Sequence, residues 1–151
     1  RQPYIFRKCN FLANLDIMII HIRREKHVVT VNLNVLGNSL EICSCEPLTG
    51  WLRDGFCSSS TIDIGKHNIC CVMTGTFLRY SKAQGNDLST PIPEYNFPGL
   101  KIGDKWCVCI DRWIQAFNDG FAPPVILAST SSNVLDHISL STLLEYAWES
   151  S

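Results

Sequence analysis

The chain has 151 residues, of which 46% are hydrophobic and 18% charged, and its formal net charge is −1. This length fits one domain, and the composition excludes global disorder because enough apolar side chains are present for a packed core. A net charge near zero argues against a strongly electrostatic nucleic-acid binder, and the longest aliphatic run is far shorter than the roughly 20 apolar residues of a membrane-spanning helix.

The first 30 residues differ in charge from the rest of the chain. They contain six basic and two acidic residues, whereas the remainder contains seven basic and twelve acidic ones. Such asymmetry is typical of a segment that is separate from the folded body, and an organelle presequence has a similar basic composition. We expect residues 1–30 to form a basic N-terminal extension, partly mobile or an edge strand, and residues 31–149 to form a single globular domain.

Hydrophobic periodicity predicts an α+β domain with about five or six short strands and three helices. Alternating apolar residues or short apolar runs predict strands at 27–35, 66–73, 105–110, 125–128 and 134–138, with the apolar stretch 40–43 as a sixth. Capping residues predict helices at 75–84 after Thr74, at 112–119 after Asp111, and up to Trp148 after Ser139 or Ser141. The glycine-rich motifs of nucleotide-binding folds are absent from the sequence, which disfavours such a fold.

The segment 44–65 predicts a long irregular loop. Its prolines, glycines and serines interrupt any regular pattern, and loops of this length in compact domains are commonly functional. It also contains Trp51, Arg53, Asp54 and Cys57, which a plain linker does not need. We interpret it as a functional loop.

Eight cysteines are present, a density below that of small secreted domains held together by disulfides. Because the core is large enough to fold without covalent links, a reducing cytoplasm is the compartment we expect. The spacing C-x-C occurs twice, and Cys107 and Cys109 would share one face of a strand. This pair could bind a metal or be redox-active, although buried structural cysteines are the default interpretation.

Seven sequence blocks resemble the family called domain of unknown function 2237, over roughly residues 33–147. They are NVLG at 34–37, LTGWLRDGFC at 48–57, HNICCVMT at 67–74, GNDLSTP at 85–91, FPGLK at 97–101, GDKWCVC at 103–109 and APPV at 122–125. The resemblance implies no activity or cofactor. It implies family thiols at Cys43, Cys57, Cys70, Cys107 and Cys109, and a further family cysteine where this chain has Phe56.

The first candidate site is a cysteine nucleophile in the long loop. Cys57 lies between glycine-containing turns, close in sequence to Arg53, and such a thiol needs a nearby base or positive group. His67 is the candidate base, and Asp54 or Asp87 would orient it. The structural alternative is that Arg53 and Asp54 stabilise a turn with Cys57 packed beneath it.

The second candidate site is the polar segment 86–90. Asn86, Asp87, Ser89 and Thr90 offer more hydrogen-bonding groups than a helix end requires, and Trp106 would give an apolar wall. The same side chains are equally suited to stabilising a loop. A site for a metal bound by Asp87, Asp104 and Asp111 is disfavoured, because the last two fit a turn and a helix cap.

Three hypotheses remain open from the sequence. The first is a cysteine-dependent enzyme whose small-molecule pocket is formed by loops 50–57 and 85–91 and the strand 106–109. The second is a non-catalytic binding or interaction module with structural cysteines. The third is a structural zinc domain in which Cys107 and Cys109 act with one or two of Cys43, Cys57 and Cys70. We expect no cofactor, no nucleic-acid partner and no membrane partner.

Overall fold

The computed structural model describes Cys9 and residues 32–150. In this part of the chain the regular elements are strands β1 (His67–Val72) and β2 (Lys105–Cys109) and helices α1 (Gly75–Ala83), α2 (Ile110–Asp119) and α3 (Leu140–Glu145). Three short 3₁₀ helices accompany them at Pro93–Tyr95, Leu127–Ser129 and Ser132–Asp136. The chain therefore mixes helices with antiparallel strands, as an α+β domain does.

Strands β1 and β2 pair antiparallel. Cys70 lies opposite Cys107, and His67 lies opposite Cys109, while an irregularity between His67 and Ile69 adds one residue to β1. Directly paired residues share a face of a sheet, and so do residues two apart on one strand. Both pairs consequently lie on the same face.

The prediction of five or six strands is wrong for the described residues, which form two. Val125 makes single bridges to Cys71 and Ala147, because the two prolines before it have no N–H groups to continue a ladder. Val134 and Ile138 are both buried, but Ser132–Asp136 forms a 3₁₀ helix, and the amides of His137 and Ile138 donate to the Val134 carbonyl. These local hydrogen bonds use backbone groups that a strand would need for its ladder.

The segment predicted as the first strand forms a turn where the structure describes it. Residues 27–31 of this predicted strand lie outside the described residues, as does the N-terminal extension apart from Cys9. The Asn34 side chain accepts hydrogen bonds from the amides of Leu36 and Asn38, both at 3.0 Å, and donates one to the Ala128 carbonyl. These hydrogen bonds from a side chain to backbone groups stabilise the turn, in place of the backbone ladder that a strand would form. The division of the chain near residue 30 stays a prediction.

Two of the predicted helix caps are confirmed and one is wrong. Thr74 Oγ1 accepts from the Phe77 amide at 3.1 Å, and Ser139 Oγ accepts from the Thr142 amide at 3.2 Å. Helix α2, in contrast, has Cys109 as its N-cap, so that Asp111 lies within its first turn. This earlier start places a cysteine at the junction of β2 and α2.

The main core lies between helix α2, the two strands and the C-terminal segment. Trp113 of α2 is fully buried, its Nε1 donates to the Pro123 carbonyl at 3.2 Å, and its ring contacts Tyr146 edge-on. A second, smaller buried cluster consists of four cysteines. No helix in the described part of the chain combines the length and the apolar character needed to cross a membrane.

Candidate functional site

Four cysteines form a buried cluster on the sheet face that also carries His67. Cys70 of β1 is disulfide-bonded to Cys43, and Cys107 of β2 is disulfide-bonded to Cys57. Each of the four is at most 5% exposed. Cys57, the nucleophile predicted from the sequence, is therefore fully buried and has no free thiol in this structure.

Disulfides hold six of the eight cysteines, all of which lie among the described residues. The third disulfide joins Cys9 to Cys45, while Cys71 is free and buried and Cys109 is free and partly exposed. The expectation that this fold needs no covalent links is not met. Because the regular elements of the described chain are short, long loops have to be fixed in place, and disulfides reduce the entropy of those loops in the unfolded state.

The partly exposed thiol of Cys109 is the first member of a chain of three polar side chains. Its Sγ lies 3.0 Å from Nε2 of His67, and Nδ1 of His67 lies 2.8 Å from Oδ1 of Asp63. A carboxylate accepts hydrogen bonds, so Nδ1 donates to Asp63 and Nε2 is left to accept from the thiol. This is the order of groups found in a nucleophile, base and orienting-acid arrangement.

Asp63 is held rigidly beneath His67. Its second carboxylate oxygen accepts from the His67 backbone amide at 2.8 Å, and its side chain is 1% exposed compared with 31% for that of His67. The turn that places it closes through a hydrogen bond from the Lys66 amide to the Asp63 carbonyl. The imidazole therefore has a buried support on one side and solvent access on the other.

Two further residues confine the imidazole. The Trp51 ring, which is 46% exposed, stacks on that of His67 with centroids 5.6 Å apart. A Cβ atom on Gly65 would lie 2.9 Å from His67 Cε1 and 3.1 Å from Cys109 Sγ. Glycine at this position thus allows the chain to approach both side chains closely, and the ring has little freedom to turn.

The thiol of Cys109 is neutral at rest. Burial, followed by the negative charge of Asp63, raises its pKa to about 11, although Arg112 acts in the opposite direction. A neutral thiol is a weak nucleophile, so its reaction at neutral pH requires a base that removes the proton as the bond forms. The neighbouring Nε2 of His67 is positioned for that role.

The start of helix α2 lies beside this thiol. Cys109 is the N-cap but makes no capping hydrogen bond with its side chain. The Ile110 amide donates to the Lys66 carbonyl at 3.2 Å, while the amides of Asp111 and Arg112 belong to the first turn, where a helix provides no internal acceptor. Such amides stabilise negative charge at a helix N-terminus.

Besides Cys57, two residues of the first predicted site, Arg53 and Asp54, lie within the 50–57 loop. The Arg53 guanidinium lies 5.0 Å from the centre of the Trp106 ring, its Nη1 donates to the Gly50 carbonyl at 2.6 Å, and burial lowers its pKa. Asp54 is buried, and its Oδ1 accepts from the Phe56 amide at 3.1 Å. The carboxylate that contacts the His67 ring is that of Asp63.

The 85–91 segment is organised by its own contacts. Asp87 accepts from the amides of Ser89 and Thr90 and from the Thr90 hydroxyl, the last at 2.6 Å, and these bonds lower the pKa of its carboxyl. Asn86 is tied through its backbone to Ser81, whose hydroxyl donates to the Asn86 carbonyl. These hydrogen bonds stabilise the conformation of the loop.

Trp106, the predicted apolar wall, contacts the 50–57 loop through Arg53. Its ring also contacts Phe97 edge-on, with centroids 5.3 Å apart, and Phe97 lies beyond the 85–91 segment. A cavity of about 360 Å³ lies elsewhere, beside the start of α1 and the C-terminal segment, and is lined in part by Thr74, Phe121 and Tyr146. None of the predicted ligand-binding residues lines that cavity.

The sequence predicted His67 as a candidate base but did not predict its contacts with Asp63 and Cys109. Asp63 lies four residues before His67, and Cys109 ends the second C-x-C pair. Neither spacing is diagnostic alone, because the contact between Cys109 and His67 depends on the strand register. Because the sequence predicted that the helix starts at residue 112, Cys109 was not expected at a helix N-terminus.

Comparison with known proteins identifies a family for this chain. The family model of domain of unknown function 2237, described as an uncharacterized protein conserved in bacteria, matches residues 33–147. The resemblance inferred from the sequence blocks is thereby confirmed. No curated protein matches the chain.

Proposed function

The chain belongs to the family of domain of unknown function 2237, and we propose that this member is a cysteine-dependent enzyme that transfers the acyl group of a small molecule through Cys109. The observation that carries the proposal is the continuous contact from the Cys109 thiol through His67 to Asp63, at 3.0 and 2.8 Å. Acyl transfer by a thiol needs a nucleophile, a base and a group that orients the base.

The first step forms a thioester. Sγ of Cys109 attacks the carbonyl carbon of an ester, thioester or amide while its proton passes to Nε2 of His67. The amides in the first turn of α2 stabilise the negative oxygen that forms, as backbone donors do in acyl-transfer enzymes. His67 then gives its proton to the leaving group as the bond to that group breaks.

The second step releases the acyl group. Water or a nucleophilic acceptor attacks the thioester, His67 accepts its proton, and the Cys109 thiol is restored when the carbon–sulfur bond breaks. Asp63 keeps the imidazole in one tautomer and stabilises its positive charge in both steps. The exposed side of the His67 ring is where the acceptor approaches.

Trapping the thioester tests the proposal. The protein is mixed with p-nitrophenyl acetate, release of p-nitrophenolate is followed, and intact-mass and peptide-mass spectra locate any acetyl group. We expect a rapid first turnover and one acetyl group on Cys109. The variant Cys109→Ala loses both signals, whereas Cys71→Ala, which removes a buried free thiol, keeps them.

Two outcomes would contradict the proposal. One is an absence of acetyl adduct at Cys109, and the other is a Cys109→Ala variant that reacts like the parent protein. Either result would favour the alternative hypothesis of a non-catalytic binding module with structural cysteines. The cytoplasmic location and the small-molecule partner stay predictions from the sequence.

A further inference from the structure

We propose that the reduced protein binds one Zn²⁺ ion through Cys43, Cys57, Cys70 and Cys107, and that oxidation of these thiolates to two disulfides releases the ion. This site is separate from the acyl-transfer site. It also differs from the zinc site predicted from the sequence, because Cys109 contacts His67 instead.

The positions of the sulfur atoms suit a single metal ion. Sγ atoms of Cys43, Cys57 and Cys70 all lie within 4.8 Å of one another, and Sγ of Cys107 is bonded to that of Cys57. In a tetrahedral zinc site with Zn–S bonds of about 2.3 Å, the sulfurs are about 3.8 Å apart. The Cα atoms within the two disulfides are 5.8 and 5.3 Å apart, so the short cysteine side chains keep the reduced sulfurs near one another.

The backbone at three of these cysteines is anchored by hydrogen bonds that do not depend on the disulfides. The amides of Cys70 and Cys107 donate to the hydroxyls of Thr130 and Thr49, at 3.1 and 2.9 Å. The Cys43 amide donates to the Gly55 carbonyl at 2.8 Å. Reduction of the S–S bonds therefore leaves these thiols close together.

The segment that carries the fourth cysteine is anchored from the sheet. The Asn68 side chain donates to the Cys57 carbonyl at 3.4 Å and to the Ser58 carbonyl at 2.9 Å. Asn68 is itself buried in β1. The four ligands thus come from two strands and two loops that are held around one point.

The chemistry of the cluster selects a soft divalent ion. All four cysteines are at most 5% exposed. Among the described residues, the side chains close enough together here to share a metal ion are cysteines, without histidine or carboxylate ligands. Thiolates prefer zinc to the hard ions calcium and magnesium, which require oxygen ligands. Without an ion, burial keeps such thiols neutral, whereas zinc binding displaces their protons.

The interconversion balances in electrons and protons. Each disulfide takes up two electrons and two protons when a phosphine or a dithiol reduces it, so the cluster takes up four of each. Zn²⁺ then displaces the four thiol protons. In reverse, two equivalents of hydrogen peroxide accept four electrons from the four thiolates, and the products are two disulfides, the free ion and water or hydroxide.

The test measures metal binding by the reduced full chain. The protein is reduced with a phosphine, desalted without oxygen, and titrated with Co²⁺, whose visible absorption is intense when thiolates bind it tetrahedrally. We expect saturation at one Co²⁺ per chain and complete replacement by Zn²⁺. Hydrogen peroxide should then release the zinc, measured with a chromogenic chelator, and the oxidised protein should bind none.

Matched variants assign the ligands and separate this site from the enzyme proposal. Cys43→Ser and Cys107→Ser should each lose the tetrahedral absorption or weaken binding at least 100-fold, with circular dichroism as the check on folding. Cys71→Ser, Cys45→Ser and Cys109→Ser should bind as the parent does. A reduced parent protein that takes up no Co²⁺, or binding that survives in Cys43→Ser and Cys107→Ser, would overturn the proposal.

Discussion

His67 and Cys109 face each other across the antiparallel ladder, with Nε2 of the first 3.0 Å from Sγ of the second. Side chains of directly paired residues start about 5 Å apart at their Cβ atoms, so the register brings the thiol and the imidazole close together. Asp63 then contributes from the preceding turn. The short distance between the thiol and the imidazole thus depends on the pairing of β1 with β2.

Replacing Asp63 with asparagine should slow the reaction of Cys109 with iodoacetamide at pH 7 by about 10- to 100-fold. This is at or below the roughly 100- to 10,000-fold that a positioned base contributes, because His67 itself remains. Asparagine can still accept the hydrogen bond from the His67 amide, but it no longer fixes the ring tautomer. Peptide mass spectrometry at timed intervals gives the rate. The difference from the parent should narrow as pH rises towards the Cys109 pKa, since a thiolate needs no base.

The matched control is Asp87→Asn, which changes an exposed aspartate in the separate 85–91 loop. Its labelling rate at Cys109 should equal that of the parent protein. Equal rates for Asp63→Asn and the parent across the pH range would mean that the carboxylate does not orient His67.

Stability should fall as the pH rises above about 9. Burial raises the pKa of Cys109 to about 11 and the pKa of Cys71 well above its usual value. In the unfolded chain these thiols lose their protons near their ordinary pKa, so between about pH 9 and 11 the unfolded state binds fewer protons and is favoured.

Guanidinium unfolding curves at pH 8, 9 and 10 test this pH dependence. The free energy of unfolding should decrease over this series for the parent. It should decrease less for the double variant Cys71→Ala/Cys109→Ala, which lacks both titrating thiols. An identical decrease in the two proteins would assign the pH dependence to other groups.

The sequence was sufficient for features that depend on local pattern. The caps at Thr74 and Ser139, the helices that follow them, and the strands around Ile69 and Val108 all match the structure in their main extent. These features follow from neighbouring residues, since a cap or an apolar run acts within one or two turns.

The features that the sequence did not predict depend on contacts between distant segments. Whether Cys57 is a reactive thiol or half of a disulfide depends on Cys107, which is 50 residues away. Likewise Val125 and Val134 lie in segments whose composition suits a strand, but within residues 32–150 neither segment pairs with a strand over several residues. Pairing partners and register are tertiary properties, and one chain without its fold does not specify them.

Removing the Cys57–Cys107 disulfide should destabilise the protein more than removing Cys43–Cys70. The two links close segments with sequence separations of 50 and 27 residues, and the loop-entropy relation gives about 4 kcal/mol for each, with about 0.5 kcal/mol more for the longer one. Guanidinium unfolding of the paired serine variants Cys57→Ser/Cys107→Ser and Cys43→Ser/Cys70→Ser measures the difference. The reverse order would show that strain or residual unfolded structure outweighs loop entropy.

Adding one methyl group at Gly65 should slow the reaction of Cys109. The new Cβ in Gly65→Ala would lie 2.9 Å from His67 Cε1 and 3.1 Å from Cys109 Sγ, so one of these side chains has to move. Since a base must be within hydrogen-bonding distance of its proton, we expect alkylation of Cys109 at pH 7 to slow at least about 10-fold. Gly75→Ala, whose Cβ contacts Arg79 and Ile102 instead, serves as the control with an unchanged rate. A Gly65→Ala protein that reacts as fast as this control would mean that the contact between thiol and imidazole does not govern reactivity.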